Sequence, residues 1–385
     1  MKFVFVSNYY NHHQQFISDE LFIQNNITYY FLETQHISRD RIDLGWAQNY
    51  QKSYIKRMYV SSKDKLEGND LIDNADIVMV GSAPENLIKE RIHRGKLIFR
   101  YSERPLKSGN NPLKYFPRLM LWRKRSPKNK PIYMLCASAY TALDYSRFGL
   151  FKNKTYKWGY FPETKIYDID TLMKSKEKKR ILWCGRFIDW KHPDDALNLA
   201  LRLKNFGYSF EMGFIGTGNM ECELKRIVRE KELDDFVVFY GSMKPEQVRE
   251  HMENAGIYIF TSDKKEGWGA VLNESMNSGC AVVASHTIGS VPYLINNGSN
   301  GLIYRSGDIG MLFEKVKYLL DNPNIQEKLG RAAYNTIVNE WNAEVAASRV
   351  VNLAEHILNG EQSPNLYSSG PCSKAEILKE SWFRG

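Results

Sequence analysis

Short runs of apolar, β-branched and aromatic residues alternate along the chain with stretches whose apolar positions recur at helical spacing. That rhythm predicts parallel sheets built from strand–helix–strand units. In the first half the expected strands are Lys2 to Val6, Thr28 to Leu32, Ile77 to Val80, Leu97 to Tyr101 and Ile132 to Ala137. The rhythm then restarts with Arg180 to Cys184, Phe210 to Ile215, Phe236 to Tyr240, Ile257 to Thr261, Ala281 to Ala284 and Leu302 to Tyr304. Between the two series lies a polar segment, residues 163–179, ending in KSKEKK, which reads as a linker. The expected division is a first domain over residues 1–162, the linker, a second domain over 180–359 closed by a helix from Ala343 to Leu358, and a tail over 360–385 that packs back on the first domain. The predicted fold is α/β, two Rossmann-like doubly wound domains facing across a cleft. In such sheets ligands bind beyond the carboxyl ends of the strands.

Composition and charge narrow this picture. A chain of 385 residues with 43% hydrophobic residues has ample core for two domains. The five cysteines, at 136, 184, 222, 280 and 372, are scattered without metal spacing and read as reduced core thiols of a cytoplasmic protein. No run approaches the roughly 20 apolar residues of a membrane span, and the apolar start MKFVFVSNYY is too short for an export signal. The net charge of +9 is uneven: 27 Lys plus Arg face 15 Asp plus Glu up to Lys165, and 26 face 29 after it. Residues 111–130, NPLKYFPRLMLWRKRSPKNK, hold seven cations and no acid, with aromatics interleaved. Such a segment suits an anionic membrane surface, at on the order of 1 kcal/mol per cation near the lipid; a solvated loop and helix face is the alternative. No nucleic-acid recognition motif accompanies the charge, so no nucleic acid is expected as partner.

Four segments at strand ends of the second half carry chemistry. CGRFIDWKHP places Arg186 and Lys191 five residues apart, a planar fork and a mobile point charge that together suit a diphosphate. Singly, either is a common surface charge. FIGTGNM ends a strand in Gly216 and Gly218, which let backbone approach a ligand or simply form a tight turn. GSMKPEQ places Ser242 and Met243 where backbone can read the edge of a base. TSDKKEGWGAVLNESMNSGCAVVAS sets Glu266 and Glu274 eight residues apart around Gly267, Trp268 and Gly269, running through Ala270 and Val271 into a helix. Free N–H groups at such a helix start favour an anion, and carboxylates on either side suit hydroxyls, so a molecule with an anion flanked by polyols fits. A charged helix start and a solvated helix position are the plainer alternatives for the two glutamates.

Taken together and in order, these motifs resemble the donor-binding domain of the retaining glycosyltransferase family 4, of the GT-B fold, over Arg180 to about Trp341. The E-x7-E pattern stands as Glu266 to Glu274, the Gly-aromatic-Gly turn as Gly267 to Gly269, the strand-end cations as Arg186 and Lys191, and the following small-residue segment as SGCAVVAS. The resemblance implies that Glu274 holds the donor ribose, Arg186 and Lys191 the diphosphate, and Glu266 with the Gly267 to Ala270 backbone the donor sugar and phosphate. It implies a nucleotide-sugar donor, a UDP-sugar in the first instance, a glycan or lipid-linked glycan acceptor at the cytoplasmic membrane face, retention of configuration, and no metal or other cofactor.

The first half departs from that family. Where many members have a glycine-rich loop after the first strand, SNYYNHHQQF presents His12 and His13, and where many have a His after a central strand, LIFRYSERP presents Glu103. Glu103, His12 and His13 are candidates for positioning the acceptor hydroxyl; each is equally at home as a structural hydrogen-bonding residue. Rival functions on the same donor domain are a nucleotide-sugar epimerase or phosphorylase, and a catalytically silent nucleotide-sugar binding protein.

Overall fold

The computed structural model describes residues 1–39, 51–109 and 115–384. Asn111 to Lys114, the start of the basic segment, lie outside the described residues. The chain divides into two compact units, residues 1–162 with 342–378, and residues 163–341 with 379–385.

The first unit is built on a seven-stranded parallel sheet: β1 (Lys2–Ser7), β2 (Thr28–Glu33), β3 (Ile55–Arg57), β4 (Ile77–Val80), β5 (Ile98–Ser102), β6 (Ile132–Cys136) and β7 (Thr155–Lys157), in the order β3-β2-β1-β4-β5-β6-β7. The second carries six parallel strands: β8 (Glu177–Cys184), β9 (Glu211–Ile215), β10 (Val237–Gly241), β11 (Ala255–Phe260), β12 (Ala281–Ser285) and β13 (Leu302–Tyr304), in the order β10-β9-β8-β11-β12-β13. Every expected strand is present, and β3 and β7 are additions. Both sheets are doubly wound. Chain order reverses between β1 and β4 in the first and between β8 and β11 in the second, and at such a switch point the strand-end loops splay apart and leave room for a ligand. The central strands are apolar on both faces because helices cover both sides; β4, β6, β11 and β12 are buried along their whole length.

Three boundaries differ from expectation. Residues 163–179 are not a loose linker: they contain the helix Ile169–Ser175, capped by Asp168, and the start of β8. Lys176, drawn from the charged KSKEKK run, is buried, its Nζ donating to the carbonyls of Met252 at 2.8 Å and Ser278 at 2.6 Å. The helix Ala343–Leu358 forms as expected but joins the first unit rather than closing the second. The tail has no regular helix. Residues 360–378 run against β7, where Lys374 bridges Tyr156, and Lys379 onward returns to the second unit. All five cysteines are unpaired, but Cys222 is exposed and Cys184 half-buried rather than in the core.

The basic segment forms the helix Tyr115–Arg125. Leu119 is buried and Trp122 packs edge-on against Phe148 at 4.5 Å, so the tryptophan serves the core. Phe116, Met120 and Leu121 remain exposed, Phe116 by 69%.

Candidate functional site

The switch point of the second sheet gathers the donor-side candidates. The loop after β8 carries Arg186 and Lys191, and the loop after β11 carries Glu266. Two contacts clamp the loops together. Thr261, just past β11, accepts from the Trp183 indole at 2.8 Å and reaches the carbonyls of Lys191 and His192 at 2.7 and 2.9 Å, and Asp263 N–H donates to the Trp190 carbonyl at 3.0 Å. Lys191 and Glu266 then meet directly as an ion pair, with side chains only 13% and 10% exposed, and Ser262 Oγ donates to the same carboxylate at 3.1 Å. The Lys191 ammonium also lies 4.8 Å from the centre of the Trp190 ring. The sequence placed Lys191 on a diphosphate and Glu266 on a sugar; the fold makes them partners. Arg186 is exposed, with its guanidinium 5.9 Å from the Trp190 ring.

The turn that follows is rich in unsatisfied donors. Gly267 and Gly269 are buried, and their N–H groups, with that of Ala270, meet no acceptor among the described residues. Buried backbone donors are nearly always paired, so the two at Gly267 and Gly269, next to the partly exposed helix start at Ala270, favour an acceptor-bearing ligand. Gly269 is needed for its conformation, at φ 86°, and because a Cβ there would sit 2.5 Å from the Phe260 ring. Trp268, between these two glycines in the turn expected to meet the donor, is fully buried. Its indole donates to Asn273 at 2.9 Å and packs 5.8 Å from Trp341, so the side chain anchors the turn and only its backbone borders the site.

Glu274 lies in the helix Val271–Asn277, which begins after Ala270. Burial pushes its carboxyl pKa up, opposed by the charge of Arg249, which donates to the Glu274 carbonyl at 3.1 Å. No side chain among the described residues hydrogen-bonds the carboxylate itself. The residue is half-buried and its oxygens are not among the buried unpaired atoms, so they keep an open side on which a pair of vicinal hydroxyls could donate. Arg249 also binds Asn277 and the Glu163 carbonyl, which fixes the helix from below.

Gly216 and Gly218 have an internal explanation. A Cβ on Gly216 would lie 1.9 Å from the Gly185 carbonyl oxygen and one on Gly218 2.4 Å from that of Phe187. The loop after β9 is zipped to the loop after β8 by Gly185 N–H to Ile215 O at 3.0 Å and Phe187 N–H to Thr217 O at 2.9 Å. These glycines therefore hold the Arg186 and Lys191 loop in shape. Ser242 and Met243 follow β10, the edge strand, with Ser242 exposed.

Among the described residues, His192, Asp194 and Asp195 place ligand atoms within 4.8 Å of one another. Asp194 and Asp195 begin the helix Pro193–Asn205, where the helix dipole favours acids, and Asp195 is pushed up to about 6 by burial and by Asp194.

In the first unit the three candidates from distant parts of the sequence converge through a residue the sequence did not single out. The His13 ring stacks on Tyr160 at 4.8 Å and 18°, and Tyr160 donates to Glu103 Oε1 at 2.6 Å. Lys107 holds the other oxygen at 3.0 Å. His12 lies 4.0 Å from His13, ring centre to ring centre, and burial lowers its pKa. The helix His12–Phe22 starts there because Asn11 caps it, accepting from His13 N–H at 2.9 Å. The signal for Tyr160 was its place in KWGYFPE, just past a strand too short to show a period.

The family model described as glycosyl transferases group 1 matches residues 168–336. The amylovoran biosynthesis glycosyltransferase AmsK of Erwinia amylovora is 27% identical over 183 residues, 46% of this chain and 45% of that protein. The alpha-D-kanosaminyltransferase of Streptomyces kanamyceticus is 21% identical over 53% of this chain and 55% of its own. The chain spans about half the length of these relatives. Among solved structures, HepE of Anabaena in complex with UDP aligns at a TM-score of 0.66, 12% identity, over 92% of this chain and 100% of its own. The pneumococcal O-GlcNAc transferase GtfA in complex with UDP and GlcNAc aligns at 0.65, 10% identity, over 93% and 99%. The chain thus has the GT-B fold, and its residues 168–336 match the model of the glycosyl transferases group 1 family.

Proposed function

We propose that this protein is a retaining, metal-independent glycosyltransferase that moves a sugar from a UDP-sugar to a glycan or lipid-linked glycan. The observation that carries the reading is the second sheet's switch point: a largely buried Lys191–Glu266 pair, three unpaired backbone donors at Gly267, Gly269 and Ala270, and a half-buried Glu274 carboxylate with no side-chain donor among the described residues, in one strand-end loop system. An anion between two hydroxyl-bearing groups complements all three. UDP in particular is supported by the UDP complexes of two proteins of the same fold. In this reading the diphosphate draws Lys191 away from Glu266, which frees that carboxylate for sugar hydroxyls. As the nucleotide leaves, charge growing on its oxygens is met by Lys191, Arg186 and the Gly267–Ala270 N–H groups, fixed in place before reaction. Glu274 takes the ribose hydroxyls. In the first unit the His13–Tyr160–Glu103 chain holds the acceptor hydroxyl.

The direct test follows a UDP-sugar panel with glycan acceptors by proton NMR. Formation of a glycoside with the donor's anomeric configuration, undiminished by a chelator, is expected. Free sugar or sugar phosphate as the only product would instead indicate the hydrolytic or phosphorolytic reading.

The protein acts, in this proposal, at the cytoplasmic membrane face, because Phe116, Met120 and Leu121 project from a helix ending in Arg123, Lys124 and Arg125. No helix among the described residues is long and apolar enough to cross a membrane. Flotation with vesicles containing anionic phosphatidylglycerol should carry the protein, and F116S/M120S should weaken that several-fold. Equal recovery with neutral phosphatidylcholine vesicles would remove the membrane from the account.

A further inference from the structure

The first unit contains a cavity of about 490 Å³ that includes none of the residues discussed so far. That volume falls within the roughly 300–1,000 Å³ of small-molecule sites. It opens at the carboxyl edge of the first sheet. Thr34 follows β2, Met58 and Tyr59 follow β3, Ser62 and Lys65 come from the start of the helix Ser62–Asn74, and Pro84, Asn86 and Leu87 from the segment after β4.

The lining divides into two kinds of group. Met58, Leu87, Pro84 and the face of Tyr59 form an apolar floor, and Met58 is only 6% exposed. Around it stand polar groups at two depths. Thr34 Oγ1 is buried and makes no hydrogen bond among the described residues, whereas Ser62, Asn86 and Lys65 stand exposed at the mouth and Ser61 beside them is paired with Asp64. A buried hydroxyl left unpaired costs roughly 1–3 kcal/mol, so Thr34 points to a ligand that hydrogen-bonds it. The rest of the frame is fixed: the buried Glu33 carboxylate is held by Tyr10 N–H at 2.8 Å and Arg57 at 2.9 Å, and the Tyr59 ring lies 4.0 Å from that of His36.

From this we infer that the Thr34–Ser62–Asn86 cavity is a carbohydrate subsite. Hydroxyls and an amide both donate and accept, which matches the mixed hydrogen-bonding needs of a polyol. An apolar floor with an aromatic face suits the C–H side of a pyranose ring. An anion site would need more than one cation, and Lys65 is the single charged residue of the lining. As a site for a further sugar of the acceptor glycan, the assignment rests on the transferase reading above; as a sugar-binding cavity it stands without it.

Saturation-transfer NMR on the full chain tests it, with maltose, cellobiose, lactose and N,N′-diacetylchitobiose as probes. At least one is expected to receive saturation from the wild type, to lose most of it with Thr34→Val and Asn86→Ala, and to keep it when UDP is added. Glu274→Ala, in the other unit, is the control and should leave the signal unchanged. No transfer to any of the four, or transfer indifferent to both cavity variants, overturns the subsite. Cavity-dependent sugar binding in a protein that shows no UDP binding would instead sink the transferase reading and leave the subsite intact.

Discussion

Lys191→Met is expected to lower kcat/KM for sugar transfer by about 10²–10³, the usual consequence of removing one fixed donor from a charge developing in the transition state. It also strips a buried carboxylate of its cation. Leaving Glu266 with Ser262 as its side-chain donor should cost up to roughly 3 kcal/mol of stability, below the loss for a wholly buried pair because both side chains keep some exposure. The two effects separate in the double variant Lys191→Met/Glu266→Gln. With no charge left to strand, its denaturation midpoint should return towards that of the wild type while transfer stays lost. A double variant that recovers both would mean the pair is structural and that the diphosphate is bound elsewhere.

Gly216→Ala has the largest expected effect on folding. The residue sits at φ 133°, outside the range of an ordinary side chain, and the added carbon would fall 1.9 Å from the Gly185 carbonyl oxygen. Backbone strain of this kind costs about 1–3 kcal/mol before any clash is counted, and the clashing atom is main chain that cannot rotate away. A loss of 3 kcal/mol or more in urea denaturation is expected, with UDP affinity lost alongside because the Lys191 loop must shift. Gly207→Ala is the control: a left-handed glycine, at φ 76°, with open space around it. Its loss should be limited to conformation, about 1 kcal/mol. Equal losses at the two positions would show that the loop zip contributes nothing.

Much of this arrangement is legible in the sequence. The central strands of both sheets announce themselves because a strand covered on both faces is a continuous apolar run, and IVMV or AVVAS is short, β-branched and bounded by turn residues. The edge strands β3 and β7 are three residues each, too short to carry a period. Charge misled once. KSKEKK looks solvated, yet Lys176 spans the interior to reach two carbonyls, and nothing local distinguishes a lysine that snorkels inward from one that faces water. Trp268 misled in the opposite sense. The glycines around it do bend the chain at a ligand-sized site, but the indole's direction depends on Trp341, 73 positions later in the sequence. Glu266 and Glu274 were found by spacing alone. That Glu266 is already paired and Glu274 is not required the fold, since the partner of one and the desolvation of the other come from Lys191 and from surrounding core.

That contrast between the two glutamates supplies the most direct measurement: the affinity for UDP, by isothermal titration, at about pH 7.5 and about pH 5, in the wild type and Glu274→Gln. A ribose hydroxyl pair favours the ionised carboxylate, and burial has raised the pKa of Glu274, so protonation begins at a higher pH than for an ordinary glutamate near 4.3. Affinity is therefore predicted to fall as pH drops through that raised value. Glu274→Gln should bind UDP at least tenfold more weakly at the higher pH and lose this part of the pH dependence. No heat with UDP at either pH, or a glutamine variant that binds as the wild type does at both, would contradict the donor site on which the account rests.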